Sequence, residues 1–357
     1  MRDAVAPFSK SSGRSAHVPS PSLRKAYSEH RRHQEDRYRD RAGSTERPGH
    51  CNEAPGRASG GRLIMSGLLA AMAQSSLARL EQARARESEK ALWSRATDAP
   101  PPPPLKLSPE GFDIIAECKL HSPSAGDLSA QTAGGMAGIE ERVLAYAQGG
   151  AAAVSVLTEP TRFGGDLEHL ARAATVLAPL GVPTMRKDFL VDPYQVMEAR
   201  AAGAGGVLVI VRMLERCHIA ELLDCAAMLK MFVLLEAFDA ADLQVVHEVL
   251  AARKHHDEQV LVGLNCRDLD KLTVELSRLR ELAQELPEGR PRVAESGVSS
   301  VDDVRTVVGY GYDMALIGTT LMSTSDPRKL LGDMLAAGRE RALATRSTNV
   351  LLGSSEE

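Results

Sequence analysis

A chain of 357 residues with 43% hydrophobic content can build a substantial core, as one large domain or two smaller ones. Its net charge of -4 argues against bulk attraction to nucleic acid or an anionic membrane. Its five cysteines show no C-x-x-C pair and no metal-ligand spacing, which suits a reducing cytoplasm better than a disulfide framework, and no apolar run approaches the roughly 20 residues of a membrane span.

Residues 1–62 mix Arg, His, Ser, Gly and Pro with acidic side chains, as in Glu29-His30-Arg31-Arg32-His33-Gln34-Glu35, and show no sustained apolar periodicity. Such a segment cannot bury enough apolar surface to offset the entropy of ordering, so a disordered tail is expected. Its interspersed acids weaken a reading as a nucleic-acid arm or transit peptide, and no signal-peptide core is present. Globular patterning begins near Met65, which makes that methionine a candidate translation start. A helical pattern of Leu69, Met72, Leu77, Leu80 and Leu92 runs from Ser66 to about Ala96. It stops before Pro100-Pro101-Pro102-Pro103-Pro104, a stiff extended connector. Residues 63–110 thus read as an extension ahead of the main domain.

Beyond the prolines, apolar and β-branched runs alternate with amphipathic segments. The runs are Asp113–Cys118, Ala151–Thr158, Val182–Lys187, Gly206–Val211, Met231–Glu236, Val260–Asn265, Pro291–Glu295 and Asp313–Ile317. They begin roughly 22 to 38 residues apart, the length of one strand plus one helix. Helix-start signals lie between or after them, including Ser300 ahead of Asp303 and Asp326 ahead of Pro327. Eight such units predict a (β/α)8 TIM barrel over 111–345 with an N-terminal helical extension, and a flexible tail over 346–357. A doubly wound open sheet is the alternative, disfavoured because no G-x-G-x-x-G follows the first strand.

Barrel active sites lie where the strands end, so the polar residues closing each run should converge. They are Glu117 with Lys119, Thr158-Glu159, Lys187-Asp188-Phe189, Arg212, Glu236, Asn265 with Arg267, Glu295-Ser296-Gly297 and Gly318-Thr319-Thr320. Alternation puts Glu117 and Lys119 on one face and Cys118 on the other. No histidine stands among these ends, which disfavours a zinc centre or a histidine triad, and nothing calls for a cofactor or metal. Ser296-Gly297 and Gly318-Thr319 end the last two strands, where barrels often hold a phosphate. Lys187 and Glu236, on separate strands, suit a general acid and a general base; an ion pair that only satisfies the barrel mouth is the plainer alternative.

As an ordered set, several motifs resemble indole-3-glycerol-phosphate synthase over roughly Ser66 to Ala344. They are Ile115-Ala116-Glu117-Cys118-Lys119 with Ser122-Pro123-Ser124, Ser155-Val156-Leu157-Thr158-Glu159 with Phe163-Gly164-Gly165, Arg186-Lys187-Asp188-Phe189, Gly263-Leu264-Asn265-Cys266-Arg267-Asp268, Ala294-Glu295-Ser296-Gly297 and Leu316-Ile317-Gly318. The resemblance implies closure of 1-(2-carboxyphenylamino)-1-deoxyribulose 5-phosphate to indole-3-glycerol phosphate, releasing carbon dioxide and water, in tryptophan biosynthesis. It implies Lys187 as general acid at the carbonyl oxygen and Glu236 as helper in dehydration. Lys119 would hold substrate and could trade the acid role with Lys187. Glu117 would orient Lys119 and face the positive charge developing on the anilino nitrogen, and Asn265 would position the substrate. Ser122 and Arg267 would meet the carboxylate, Phe163 and Phe189 would flank the ring, and Glu295 would complete the polar ring. Ser296, Gly297, Gly318 and Thr319 would take the phosphate.

One departure from the family pattern is Leu120-His121, which stands where another basic residue is usual, so substrate affinity could be weaker. The implied partner is a small phosphorylated molecule, with no nucleic acid and no membrane, in the cytoplasm; contacts with other tryptophan-pathway enzymes are not legible. Two other readings are weighed: a phosphoribosylanthranilate isomerase using Cys118, and a barrel that binds a phosphorylated ligand without turnover.

Overall fold

The computed structural model describes residues 67–122, 126–127, 136–253, 259–268 and 273–353; the expected tail over 1–62 lies outside them. The strands are β1 (Asp113–Cys118), β2 (Ala153–Leu157), β3 (Thr184–Lys187), β4 (Gly206–Ile210), β5 (Phe232–Ala237), β6 (Val260–Asn265), β7 (Arg292–Glu295) and β8 (Met314–Ile317). Each falls within two residues of the run predicted from sequence. All pair in parallel, each with its sequence neighbours, and β1 pairs with both β8 and β2, so the sheet closes as a TIM barrel.

The strands read as nearly unbroken apolar runs because both faces are covered. Ile114, Ala116 and Cys118 point outward and are buried beneath helices, while Ile115 and Glu117 point inward. The helices are α1 (Gly67–Arg86), α2 (Glu89–Asp98), α3 (Met136–Gln148), α4 (Pro160–Phe163), α5 (Leu167–Leu177), α6 (Pro193–Ala201), α7 (Arg216–Met228), α8 (Ala240–Ala251), α9 (Ser277–Glu281), α10 (Val301–Gly309), α11 (Thr319–Ser323) and α12 (Pro327–Gly353). Several begin at the caps the sequence offers. Ser300 and Asp303 form a reciprocal capping box on α10, and the Asp326 carboxylate accepts the Lys329 N–H at 2.9 Å. The helical pattern expected over 66–96 is two helices: the Ser88 hydroxyl accepts the Ala91 N–H at 3.3 Å and starts α2 afresh. At the other end α12 continues past residue 345, where the sequence suggests a tail.

Inside the barrel, missing side chains matter as much as those present. Gly263 on β6 sits level with Glu236 on β5, and a Cβ there would collide with the Glu295 carboxylate. Gly318, just past β8, makes the same allowance for the carboxylate of Glu117. Two acidic side chains can therefore turn into the barrel axis only because their neighbours have none. Gly263→Ala should lower stability by about 1–3 kcal/mol through overpacking. The urea midpoint should fall with an unchanged slope, and an unmoved midpoint would mean the Glu295 carboxylate shifts aside without cost.

Candidate active site

The inward-facing residues that end the strands enclose a cavity of about 530 Å³ at the carboxyl end of the barrel. On one side Lys119 Nζ donates to Glu117 Oε1 at 2.6 Å. Across the mouth Lys187 Nζ lies 3.7 Å from Glu236 Oε2, an ion pair too long for a hydrogen bond. The other oxygen of Glu236 accepts from Asn265 Nδ2 at 2.5 Å, while Asn265 Oδ1 accepts the Arg267 N–H at 2.9 Å. The amide is thus oriented at both ends, and it fixes the carboxylate beside the ammonium.

Glu295 sits deeper. It is 1% exposed, and neither carboxylate oxygen has a hydrogen-bond partner among the described residues. Burial, reinforced by the charge of Glu236, raises its pKa well above the usual carboxylate value, against the opposing pull of Lys187. That environment favours the protonated carboxylic acid over the carboxylate. Burial disfavours charge on Lys187 too, but the neighbouring carboxylates, Glu236 foremost, outweigh it and raise its pKa above the ordinary lysine value. Glu117 is also buried, and there the charges of Lys119 and Lys187 prevail and lower its pKa. Two lysines, Lys119 and Lys187, thus share the cavity with Glu117, Glu236 and Glu295.

The walls come from elsewhere. Phe163 and Phe189 stand with ring centroids 6.1 Å apart and planes tilted by 36°. Phe163 rides on α4, a single turn held by Glu159, whose carboxylate accepts the N–H groups of Thr161, Arg162 and Phe163 at 2.9, 2.7 and 3.3 Å. His121 Nδ1 lies 2.9 Å from the Arg162 carbonyl oxygen, so the residue that departs from the family pattern ties the loop after β1 to the same turn. Beyond β7, Ser296 and Gly297 both take the left-handed conformation, at φ of 67° and 76°. Such geometry is costly for serine, and it recurs where backbone N–H groups are turned toward an anion. Gly318 precedes α11, whose first turn has no side-chain cap.

The sequence-selected Lys187, Glu236, Lys119, Glu117, Asn265, Phe163, Phe189, Arg267, Glu295, Ser296, Gly297, Gly318 and Thr319 all line this one cavity. Ser122 belongs to the short ladder His121–Ser122, and the expectation for its side chain lies outside the described residues. Three strand-end residues expected at the rim do not line it. Thr158 donates to Asp188 at 2.7 Å, Glu159 caps α4, and Arg212 pairs with Asp239 and Asp242 and stacks over Phe238 at 4.5 Å. Phe238 lines the cavity although sequence reasoning passed over it; lying two residues beyond Glu236, it could have been found by alternation. Leu68 and Leu69 of α1 also line it, a contact that no local pattern announces. Cys118 faces Arg142 and Tyr146 of α3, and burial pushes its thiol up to about 12, which removes it as the nucleophile or acid of an isomerase.

A family profile described as indole-3-glycerol phosphate synthase matches residues 69–334. This chain belongs to the indole-3-glycerol phosphate synthase family. The synthase of Mycobacterium avium (strain 104) is 39% identical over 249 residues, covering 68% of this chain and 85% of its own length. That of Mycobacterium tuberculosis (strain CDC 1551 / Oshkosh) is 38% identical over 260 residues, covering 71% and 89%, and that of Kineococcus radiotolerans is 39% identical over 240 residues, covering 67% and 82%. Among solved structures, 3-hexulose-6-phosphate synthase from Salmonella typhimurium aligns with a TM-score of 0.49 at 12% identity, over 64% of this chain and 100% of its own. The strand pairing of this synthase-family chain establishes its fold independently of that likeness.

The raised pKa of Glu295 has a thermodynamic sign. Above roughly pH 4.3 the unfolded chain releases this proton while the folded chain keeps it, so the residue erodes stability by about 1.4 kcal/mol per pH unit until its folded pKa is reached. Glu295→Gln mimics the neutral acid and should melt above the parent at pH 7.5, with the gap closing toward pH 4. Parallel melting curves at both pH values would show that Glu295 is ionised in the fold.

Proposed function

We propose that this rim carries out the family's ring closure with Lys187 as the general acid and the surrounding carboxylates as its electrostatic frame. The reaction converts 1-(2-carboxyphenylamino)-1-deoxyribulose 5-phosphate to indole-3-glycerol phosphate, carbon dioxide and water, in tryptophan biosynthesis. The observation that carries the assignment of roles is the placement of the Lys187 ammonium beside Glu236, in the same cavity as the left-handed Ser296-Gly297 turn.

In the first step the carboxylate-bearing aromatic carbon attacks the ketose carbonyl carbon. Aromaticity is lost, positive charge develops on the anilino nitrogen, and the carbonyl oxygen takes up a proton. An ammonium aimed at that oxygen lowers the barrier, and so does a fixed carboxylate near the nitrogen. Lys187 supplies the first, because its carboxylate neighbours keep it charged throughout the neutral range. Glu117, held ionised by Lys119, supplies the second. Loss of carbon dioxide returns the electron pair to the ring. Dehydration then removes the new hydroxyl and a proton, with Glu236 as the carboxylate placed to move that proton. Asn265 holds Glu236 in place, Phe163 and Phe189 flank the ring, and Arg267 meets the carboxylate before it leaves. Ser296, Gly297, Gly318 and Thr319 take the phosphate. Glu295 completes the polar ring, and in the protonated form that its burial favours it adds no charge that would repel the anionic substrate.

The domain division of an extension over 63–110 and a catalytic barrel over 111–345 belongs to this reading, as does a cytoplasmic location, where a phosphorylated sugar derivative is retained. Among the described residues no helix is long and apolar enough to cross a membrane.

Purified protein given the carboxyphenylamino-deoxyribulose phosphate should generate indole fluorescence, and a flat signal from folded protein would leave binding without turnover. Lys187→Met should reduce kcat by at least about 100-fold while phosphate-dependent binding persists, as expected for removal of a general acid. A variant with the parent's rate would take Lys187 out of that role. Removing the Glu236 charge lowers the pKa of Lys187, so the residual activity of Glu236→Gln should fall off at a lower pH than the parent's. An unshifted basic limb would assign that limb to another group.

A further inference from the structure

Helix α1 precedes the barrel by a long connector, yet it docks on the stretch of chain that immediately follows Lys187. Gln195 Nε2 donates to Ser76 Oγ at 2.8 Å, and the Tyr194 hydroxyl donates to the carbonyls of Ala83 and Glu87 at 3.1 and 2.9 Å. Arg84 pairs with Asp192 at 2.9 Å and lies 5.5 Å from the centre of the Tyr194 ring. One contact of α1 goes further in. Both terminal nitrogens of Arg79 donate to the two oxygens of Asp188 at 2.8 Å, a forked pair between residues 109 apart in sequence.

The position of that carboxylate gives the pair its meaning. Asp188 lies between Lys187, the assigned acid, and Phe189, one wall of the cavity, and its side chain is wholly buried. The oxygen that accepts Arg79 Nη2 also accepts the Phe189 N–H at 2.8 Å. The other oxygen accepts Thr158 Oγ1 at 2.7 Å and Arg186 Nη2 at 3.1 Å. A buried carboxylate with this set of donors has one orientation, and the backbone on either side inherits it. Of the donors, Thr158 and Arg186 belong to the barrel's own strand ends; only Arg79 comes from outside the barrel. Its charge also helps to hold the carboxylate ionised, since burial works against ionisation and the hydrogen bond from Arg79 is the first influence opposing it.

We propose that Arg79 is a positioning residue for catalysis: acting through Asp188, it sets where the Lys187 ammonium and the Phe189 ring stand relative to the bound substrate. Helix α1 is on this view a working part of the site that delivers one guanidinium to the end of β3. The inference rests on the assignment of Lys187 as the acid. Because Arg79 is not among the residues lining the cavity, its loss should disturb the alignment of the reacting atoms more than it weakens binding.

The test uses the full chain. Arg79→Met and Arg79→Gln both remove the charge and should lower kcat by tenfold or more, with KM changed less than threefold. Arg79→Lys keeps one charged donor and should recover at least a third of the parent's kcat. Asp188→Asn should also lower kcat, and in the double variant with Arg79→Met the loss should fall well short of the product of the two single losses, because both changes break the same link. A folded charge-removing variant with kcat within twofold of the parent would overturn the proposal. So would a loss shared equally between kcat and KM that Arg79→Lys does not repair, the signature of simple destabilisation. Should neither charge-removing variant fold, Asp188→Asn decides: kcat lowered tenfold or more with KM changed less than threefold supports the positioning link, and kcat within twofold of the parent ends it. Lys187→Met separates this proposal from the one beneath it, since a fully active Lys187→Met withdraws the acid itself, whereas an inactive Lys187→Met beside a fully active Arg79→Met withdraws only Arg79.

Discussion

The mouth of the barrel gathers Glu117, Glu236 and Glu295 around Lys119 and Lys187, all largely withdrawn from water. Removing charges from water costs several kcal/mol apiece, and the cost is recovered only where opposite charges and hydrogen bonds are accurately placed. The surrounding structure meets that requirement in three ways. The short Lys119–Glu117 bond makes one compact pair, Asn265 pins Glu236 opposite Lys187, and burial beside Glu236 shifts Glu295 toward its protonated form. The result is a site in which the Lys187 ammonium is surrounded by carboxylates that favour its charged form.

Strand register is what makes such placement reproducible. Glu236 stands level with Gly263, and Asn265 level with Glu295, because eight parallel strands repeat one stagger around the barrel. Side chains pointing inward at one level meet at the axis, so space is the scarce quantity there, and Gly263 and Gly318 provide it by having no side chain. A rigid barrel supplies precision for the lysines and carboxylates, while the loops supply the aromatic walls and the left-handed Ser296-Gly297 turn. Even those loops are fastened: Glu159 organises the turn carrying Phe163, and Asp188 organises the segment carrying Phe189. The same carboxylate takes the guanidinium from α1, which links a helix outside the barrel to the end of β3.

Sequence alone determined the eight strands, their spacing, and most of the cavity-lining side chains. This was possible because parallel barrel strands write a regular signal: an apolar run, a polar residue where it ends, and a helix-length gap. It likewise gave the sides on which Glu117 and Cys118 lie, since alternation along a strand is a local rule. Tertiary structure decided what depends on neighbours distant in the chain. Thr158, Glu159 and Arg212 carry the same strand-end signature as Lys187, yet they turn to wall and support because their side chains are taken up by Asp188, by the N–H groups of α4, and by Asp239 with Asp242. The raised pKa of Glu295 rests on burial beside Glu236, and the role of α1 rests on a bond spanning 109 residues. Periodicity and motif spacing record what a residue does for its own strand or helix, whereas desolvation and long-range pairing arise only when the barrel closes.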